Sequence, residues 1–293
     1  MQSEKRGLAA LLLVTAVWGT TFPAMKLLTG QLDALQIIWL RFAIALLVLA
    51  PLWRGMRTNE RRWGLLLGVL LFLAFWLQIE GLVRTSSNRN AFVTGLNVLV
   101  VPILAMLALG RRYGWRLWAA CALATAGMAL MFHEDAPWNL GDTLTLCSTL
   151  FYAVYILVLE ASARRHAAVP LRATRMAAAQ ASVMCTASFV LLLQRHGSDW
   201  HTGMDTLTTS AWGALVYLGL LASVLVVTLQ AWGQQRVDAL RSAIVFGLEP
   251  VFAALTAWAL LGERMGLVAL TGAALVVLAL VWSQWQPTPR TTT

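Results

Sequence analysis

Apolar residues run along this chain in ten stretches, at about 8–28, 34–53, 63–83, 91–109, 115–132, 139–159, 173–194, 211–232, 242–261 and 265–285. Most approach the ~20 residues a helix needs to cross a ~30 Å hydrocarbon layer. None shows the two-residue alternation of a barrel strand, and inside lipid every backbone amide must be paired within its own segment, so runs this long are helices. Short polar connections rich in arginine separate them. The pattern predicts an all-α integral membrane protein with ten transmembrane helices. Residues 8–28 follow Lys5 and Arg6 as a secretory signal would, but the run is too long for an h-region of ~7–15 residues and lacks a small-residue cleavage site, so a retained first helix is expected.

The polar residues inside these stretches repeat. One shift of 152 positions, ungapped from Leu77 to Leu123, brings Gln78 onto Gln230, Arg84 onto Arg236, Arg89 onto Arg241, Gly95 onto Gly247, Gly110 onto Gly262, Arg112 onto Arg264 and Gly114 onto Gly266. Shared oiliness would align leucines and valines, but it supplies no reason for a glutamine, three arginines and three glycines to coincide. A duplicated unit follows, with repeats at 7–132 (helices 1 to 5) and 139–285 (helices 6 to 10).

Charge then orients the units. Sixteen basic residues fall at the N-terminus, in the 2–3, 4–5, 6–7 and 8–9 loops and at Arg290, against five on the opposite side (Lys26, Arg84, Arg89, Arg195 and Arg264), with Arg41 inside a span. The positive-inside rule makes both termini cytoplasmic. Five spans per unit is an odd number, so the two repeats are expected to be inverted, a plan many secondary transporters use to alternate access around a central site.

Composition narrows the class. A mean hydropathy of +0.70 with 59% hydrophobic and 12% charged residues excludes an ordinary soluble domain. A net charge of +9 implies attraction to anionic headgroups and requires no nucleic acid. Cys121, Cys147 and Cys185 lie in different spans without metal-ligand spacing and read as small core residues. His133-Glu134-Asp135 reads as a solvated external loop. No G-x-S-x-G, H-E-x-x-H, phosphate loop or Cys/His pairing occurs, so the expectation is no enzyme, no metal and no cofactor. A small-molecule substrate and the bilayer are the expected partners; the sequence leaves oligomeric state open, and a monomer suffices.

Trp18-Gly19-x-x-Phe22 in helix 1, Arg41-Phe42 in helix 2, and Glu249-Pro250-Val251 with Leu261-Gly262-Glu263-Arg264 in and after helix 9 resemble the motifs of EamA-type units of the drug/metabolite transporter superfamily, over residues 7–285. The first repeat departs from that pattern, with Gly110-Arg111-Arg112 in place of Gly-Glu-Arg and Pro102 one turn beyond the position matching Pro250. The run Ala91-Phe92-Val93-Thr94-Gly95-Leu96-Asn97 is similar to a branch of amino-acid and metabolite exporters that includes the YddG-type aromatic amino-acid exporters. The resemblance implies export from cytoplasm to periplasm across a bacterial inner membrane, with ten helices around a central cavity.

Candidate residues follow from depth and spacing. Glu249, mid-span, costs ~2.5–3.5 kcal/mol on insertion scales if charged toward lipid, so it must face protein or water. It reads either as a site for a substrate ammonium or proton, or as a structural carboxylate beside the Pro250 kink. Its repeat mate is Asn97. Asn90, Thr94 and Asn97 share one helical face, matched by Ser242, Phe246 and Glu249, and serve either substrate or interhelical bonding. Pro102 and Pro250 are the expected hinges. A shift of 134 that aligns Gly7 with Gly141 brings Trp18 onto Tyr152. With Phe22, Phe75, Trp76 and Tyr155 these aromatics either line a cavity for a flat or aliphatic side chain or simply pack. Gln78 and Gln230, matched across the repeats, grip substrate or bond helices. Arg41 and Glu80, read as near the outer ends of helices 2 and 3, are expected to pair or to snorkel. The resulting expectation is a secondary transporter exporting amino acids, aromatic ones included, or similar small amphipathic metabolites; a sugar or drug carrier of the same superfamily is the alternative.

Overall fold

The computed structural model describes residues 2–131, 137–261 and 266–284. His133-Glu134-Asp135, Gly262-Glu263-Arg264, Trp285 and Arg290 lie outside them. The described residues form α1 (Gln2–Thr29), α2 (Ala34–Leu49), α3 (Thr58–Arg84), α4 (Ser87–Gly95), α5 (Asn97–Leu109), α6 (Trp115–Met131), α7 (Leu140–Arg165), α8 (Ala173–His196), α9 (Thr209–Gly219), a π-helical turn (Leu220–Leu225), α10 (Val226–Gln234), α11 (Ala239–Phe246), α12 (Glu249–Leu261) and α13 (Leu267–Gln284). All the regular structure among them is helical. Eight helical stretches are long and apolar enough to cross a membrane, and α6 and α13 are shorter apolar helices.

Two of the eight stretches are broken, and the breaks obey the 152-position shift. The stretch that begins at Ser87 is interrupted at Leu96 and resumes at Asn97; the one that begins at Ala239 is interrupted at Gly247–Leu248 and resumes at Glu249. Their N-caps correspond too. Ser86 Oγ accepts from Arg89 N at 3.1 Å and Asp238 Oδ1 from Arg241 N at 3.0 Å, each meeting one of the orphan donors of a helix start. α4 packs against α12 and α5 against α11, so each first half meets the other's second half, the contact pattern of helices crossing in opposite directions.

Pro102 does not cause its break. It lies inside α5, six residues beyond Leu96, where its missing N–H leaves the Val98 carbonyl free; the Cys121 thiol donates to that oxygen at 3.2 Å. The interruption of this stretch thus lies at Leu96, six residues before Pro102, the residue expected as its hinge. Pro250 stands beside its break as the second residue of α12, where a proline gives up no intrahelical bond.

Tight crossings surround the broken pair. Gly81 on α3 faces Gly141 on α7, where an added Cβ at Gly81 would meet the Gly141 carbonyl oxygen at 2.7 Å. Gly7 on α1 faces Gly233 on α10 in the same manner, with that oxygen at 3.2 Å. Gly7 and Gly141 are mates under the 134 shift, Gly233 and Gly81 under the 152 shift, so the two crossings are counterparts. Small residues at such contacts let backbones approach where lipid gives no hydrophobic drive to association.

The loops are tied in two sets. Glu60 binds Arg175 at 3.2 Å, Glu160 binds Arg111 at 2.6 Å and Arg164 at 2.8 Å, and Glu4 pairs with Arg241. In the other set Glu80 binds Arg84 at 2.6 Å and Arg195 at 3.1 Å, Asp142 binds Arg89 at 2.5 Å, and Asp33 meets His196 at 2.6 Å. Glu80 thus serves its own helix end and α8, and does not pair with Arg41. Cys121 is buried, but Cys147 is exposed on the outer face of α7 and is no core residue.

Candidate functional site

α1, α2, α3, the α4–α5 break, α7, α10 and the α11–α12 break converge on a narrow chamber. The space between its lining atoms, open mouth included, totals about 580 Å³. Of the residues expected from sequence, Trp18, Phe22, Gln78, Thr94, Asn97, Tyr152, Gln230, Phe246 and Glu249 line it.

Polar bonds order one wall. The Tyr152 hydroxyl donates to Gln78 Oε1 at 2.9 Å, Gln78 Nε2 donates to Thr94 Oγ1 at 3.0 Å, and Thr94 Oγ1 donates to the Asn90 carbonyl at 2.8 Å. Asn90 lies behind this wall, donating to Thr145 Oγ1 at 2.7 Å and to the Gln78 carbonyl at 3.1 Å. Asn90 thus bonds helices together, whereas Thr94 and Asn97 reach the chamber.

The break itself explains Asn97. Interrupting the helix frees carbonyls, and Asn97 Nδ2 donates to Thr94 O at 3.1 Å while Thr149 Oγ1 donates to Val93 O at 3.1 Å. This leaves Asn97 Oδ1 buried without a donor. An ionised carboxylate has no proton to give a carbonyl, so its mate Glu249 could repeat that cap only in its protonated form. Glu249 is 9% exposed and faces the chamber from the first turn of α12, where the helix dipole favours a negative charge. Gln230 Nε2 donates to Gln234 Oε1 at 3.2 Å, and Gln230 Oε1 is a second buried acceptor without a donor.

Aromatic surface supplies the remainder. Trp18 and Phe246 meet at 5.2 Å between ring centroids, and Phe75 lies edge-on to Tyr152 at 5.8 Å.

Two expected residues are elsewhere. The Tyr155 hydroxyl donates to Gln180 Oε1 at 2.9 Å toward α8, and Trp76 stacks on Phe72 at 5.9 Å. Successive helical residues diverge by about 100°, so Trp76 turns away where Phe75 points in; Tyr152 lines the chamber, while Tyr155, one turn on, is drawn toward α8 by its bond to Gln180. Phe75, for which the sequence left lining and packing both open, lines the chamber, and so do residues not chosen from sequence: Thr21, Met25, Arg41, Gly95 and Ile156. Spacing could have found two of them, since 18, 21, 22 and 25 form one helical stripe. Arg41 is the largest correction. It is the eighth of the 16 residues of α2, 1% exposed, neither snorkelling nor paired with Glu80.

A family model for the EamA-like transporter family matches residues 5–133 and again residues 139–284. An uncharacterized transporter of Archaeoglobus fulgidus is 26% identical over 271 residues, covering 92% of this chain and 83% of that protein. A second uncharacterized transporter of that organism is 22% identical over 283 residues, 96% of each. One solved crystal structure shares the fold with a TM-score of 0.74 at 18% identity, over 97% of this chain and 99% of that one.

Proposed function

Because this chain belongs to the EamA-like transporter family, we propose that it is a secondary transporter that exports amino acids, aromatic ones included, or similar small amphipathic metabolites. The reading takes the chain as ten spans in two inverted five-helix units, 7–132 and 139–285, with both termini cytoplasmic in a bacterial inner membrane. Support comes from matched breaks at the 152-position shift, from the α4/α12 and α5/α11 contacts, and from the distribution of basic loops.

The observation that carries the substrate class is the chamber at the crossing of the two broken helices. Its lining joins an aromatic wall to buried polar groups that the protein leaves unpaired, which suits a ligand with an apolar body and a polar end. Rocking of one unit against the other about this crossing would expose the chamber to each side in turn, since two inverted halves offer two nearly equivalent states.

Protein reconstituted in liposomes should move radiolabelled tryptophan, phenylalanine or leucine with saturable kinetics, and unlabelled amino acids should compete. Flux that sugars or cationic drugs inhibit and amino acids do not would reject the amino-acid reading in favour of the alternative carriers.

A further inference from the structure

Arg41 holds a guanidinium in the wall of the chamber with no carboxylate beside it among the described residues. Its Nε donates to Ser223 Oγ at 3.0 Å, one Nη lies 3.8 Å from Met25 Sδ, and its guanidinium carbon sits 4.9 Å from the Phe75 centroid and 5.3 Å from that of Phe42. Arg89, Arg111, Arg175 and Arg241 by contrast each hold an acid. A guanidinium keeps its charge in a protein, so this cation is buried with neutral and aromatic partners only.

Its support is specific. Ser223 lies in the π-helical turn, where its Oγ donates to the carbonyl five residues back, Leu218 O, at 2.9 Å. That bond orients the hydroxyl so that a lone pair meets Arg41. A π-turn is rare in helices and frequent at functional sites. Glu249 lines the same chamber, likewise without an ion-pair partner among the described residues, together with the orphan acceptors Asn97 Oδ1 and Gln230 Oε1. The chamber therefore lacks an anion at Arg41 and lacks N–H donors at the other three groups.

We propose that Arg41 is the anchor for a substrate carboxylate and that the chamber thereby selects zwitterions, with the ammonium taken by Glu249, Asn97 Oδ1 and Gln230 Oε1. Three acceptors match the three N–H donors of an ammonium, and a guanidinium matches the two oxygens of a carboxylate. The aromatic wall of Trp18 and Phe246 then takes the side chain. This rests on the chamber being the transport site.

The test compares L-tryptophan with tryptamine, which lacks the carboxylate, and with indole-3-propionate, which lacks the ammonium. Leucine, isoamylamine and 4-methylpentanoate form a parallel aliphatic set. With the full chain in lipid nanodiscs or liposomes, each amino acid should bind or compete roughly 10-fold or more tightly than either truncated analogue, the size of one lost charge-assisted contact. Arg41→Gln should erase the preference over the amine while retaining the preference over the acid. Should Arg41→Gln not fold, Ser223→Ala keeps the charge but frees the guanidinium, and it should raise KM for the amino acids without changing inhibition by the amines. A merely structural Arg41 would lower stability and leave the ratio of amino acid to amine untouched. If amino acids are carried and the amines compete equally in the unaltered protein, the Arg41 assignment is overturned and the transporter reading stands. If neither amino acids nor analogues bind or move, both fall together.

Discussion

Gly81 and Gly141 meet where α3 crosses α7, and nothing larger fits. A Cβ at Gly81 would lie 2.4 Å from Thr145 Oγ1 and 2.7 Å from a backbone oxygen, so the helices would have to part. Gly81→Ala should lower the melting temperature in detergent by the equivalent of ~1–3 kcal/mol. Gly213→Ala, inside α9 with no atom within 4 Å of the new methyl, should melt no lower than the unaltered protein. The Asp142 carboxylate, fully buried, accepts from Thr85 Oγ1 at 2.8 Å, Asn139 N at 2.9 Å and Arg89 at 2.5 Å. Asp142→Asn leaves Arg89 without its anion and should cost ~1–3 kcal/mol by the same measurement. Sequence singled out Arg89 through the repeat and Gly141 through its match with Gly7; the partner across the helix crossing was legible for neither. Trp76 lies elsewhere because adjacent residues on a helix point about 100° apart, and Tyr155 because its hydroxyl meets Gln180 of α8; only the neighbouring helices decide which residues meet the chamber.

At the scale of an element, the α4–α5 break is held by side chains from other helices. Cys121→Ala should strip the Val98 carbonyl of its donor at a cost of ~1 kcal/mol. In a Pro102→Ala background the restored backbone N–H can reach that carbonyl, so the cost of Cys121→Ala should shrink toward zero. A double-mutant cycle on melting temperatures checks this, and purely additive costs would refute it. Both broken stretches read as continuous apolar spans because Leu96 and Leu248 are as apolar as their neighbours; the matched Gly95 and Gly247 were the only local sign. The 220–225 π-turn left no sign at all, since Leu-Leu-Ala-Ser-Val-Leu has the composition of any span. α2 is shorter than its apolar run because Pro51 opens a 3-10 turn over 50–53, which moves Arg41 from near a helix end to its centre.

At the scale of the molecule, acid–base ties gather the loops into two sets that agree with the alternation of basic residues. The proposed cytoplasmic placement of the termini carries a testable consequence. In a background with Cys121, Cys147 and Cys185 replaced, an exposed cysteine at Ser198 should react with a membrane-impermeant thiol reagent in intact cells, whereas one at Ala167 should react only after permeabilisation. The reverse pattern would invert the proposed direction of transport. α6 and α13, which pack on each other through Gly127 and Gly272, contribute none of the chamber's lining among the described residues. Replacing the lipid-facing Leu107 or Val277 by alanine should leave transport kinetics unchanged, as measured by KM in liposomes.

Hydrophobic length and the ban on unpaired backbone in lipid are one-dimensional constraints, so the chain alone determined helices, membrane and an internal duplication. The same holds for Glu249 and Asn97, because a mid-span polar group is conspicuous wherever the chain goes. Arg41 facing the chamber, the unpaired oxygens of Asn97 and Gln230, and the locations of the breaks were decided by the tertiary structure. They depend on which groups of other helices lie within 3 Å, and those distances are set by how the helices cross.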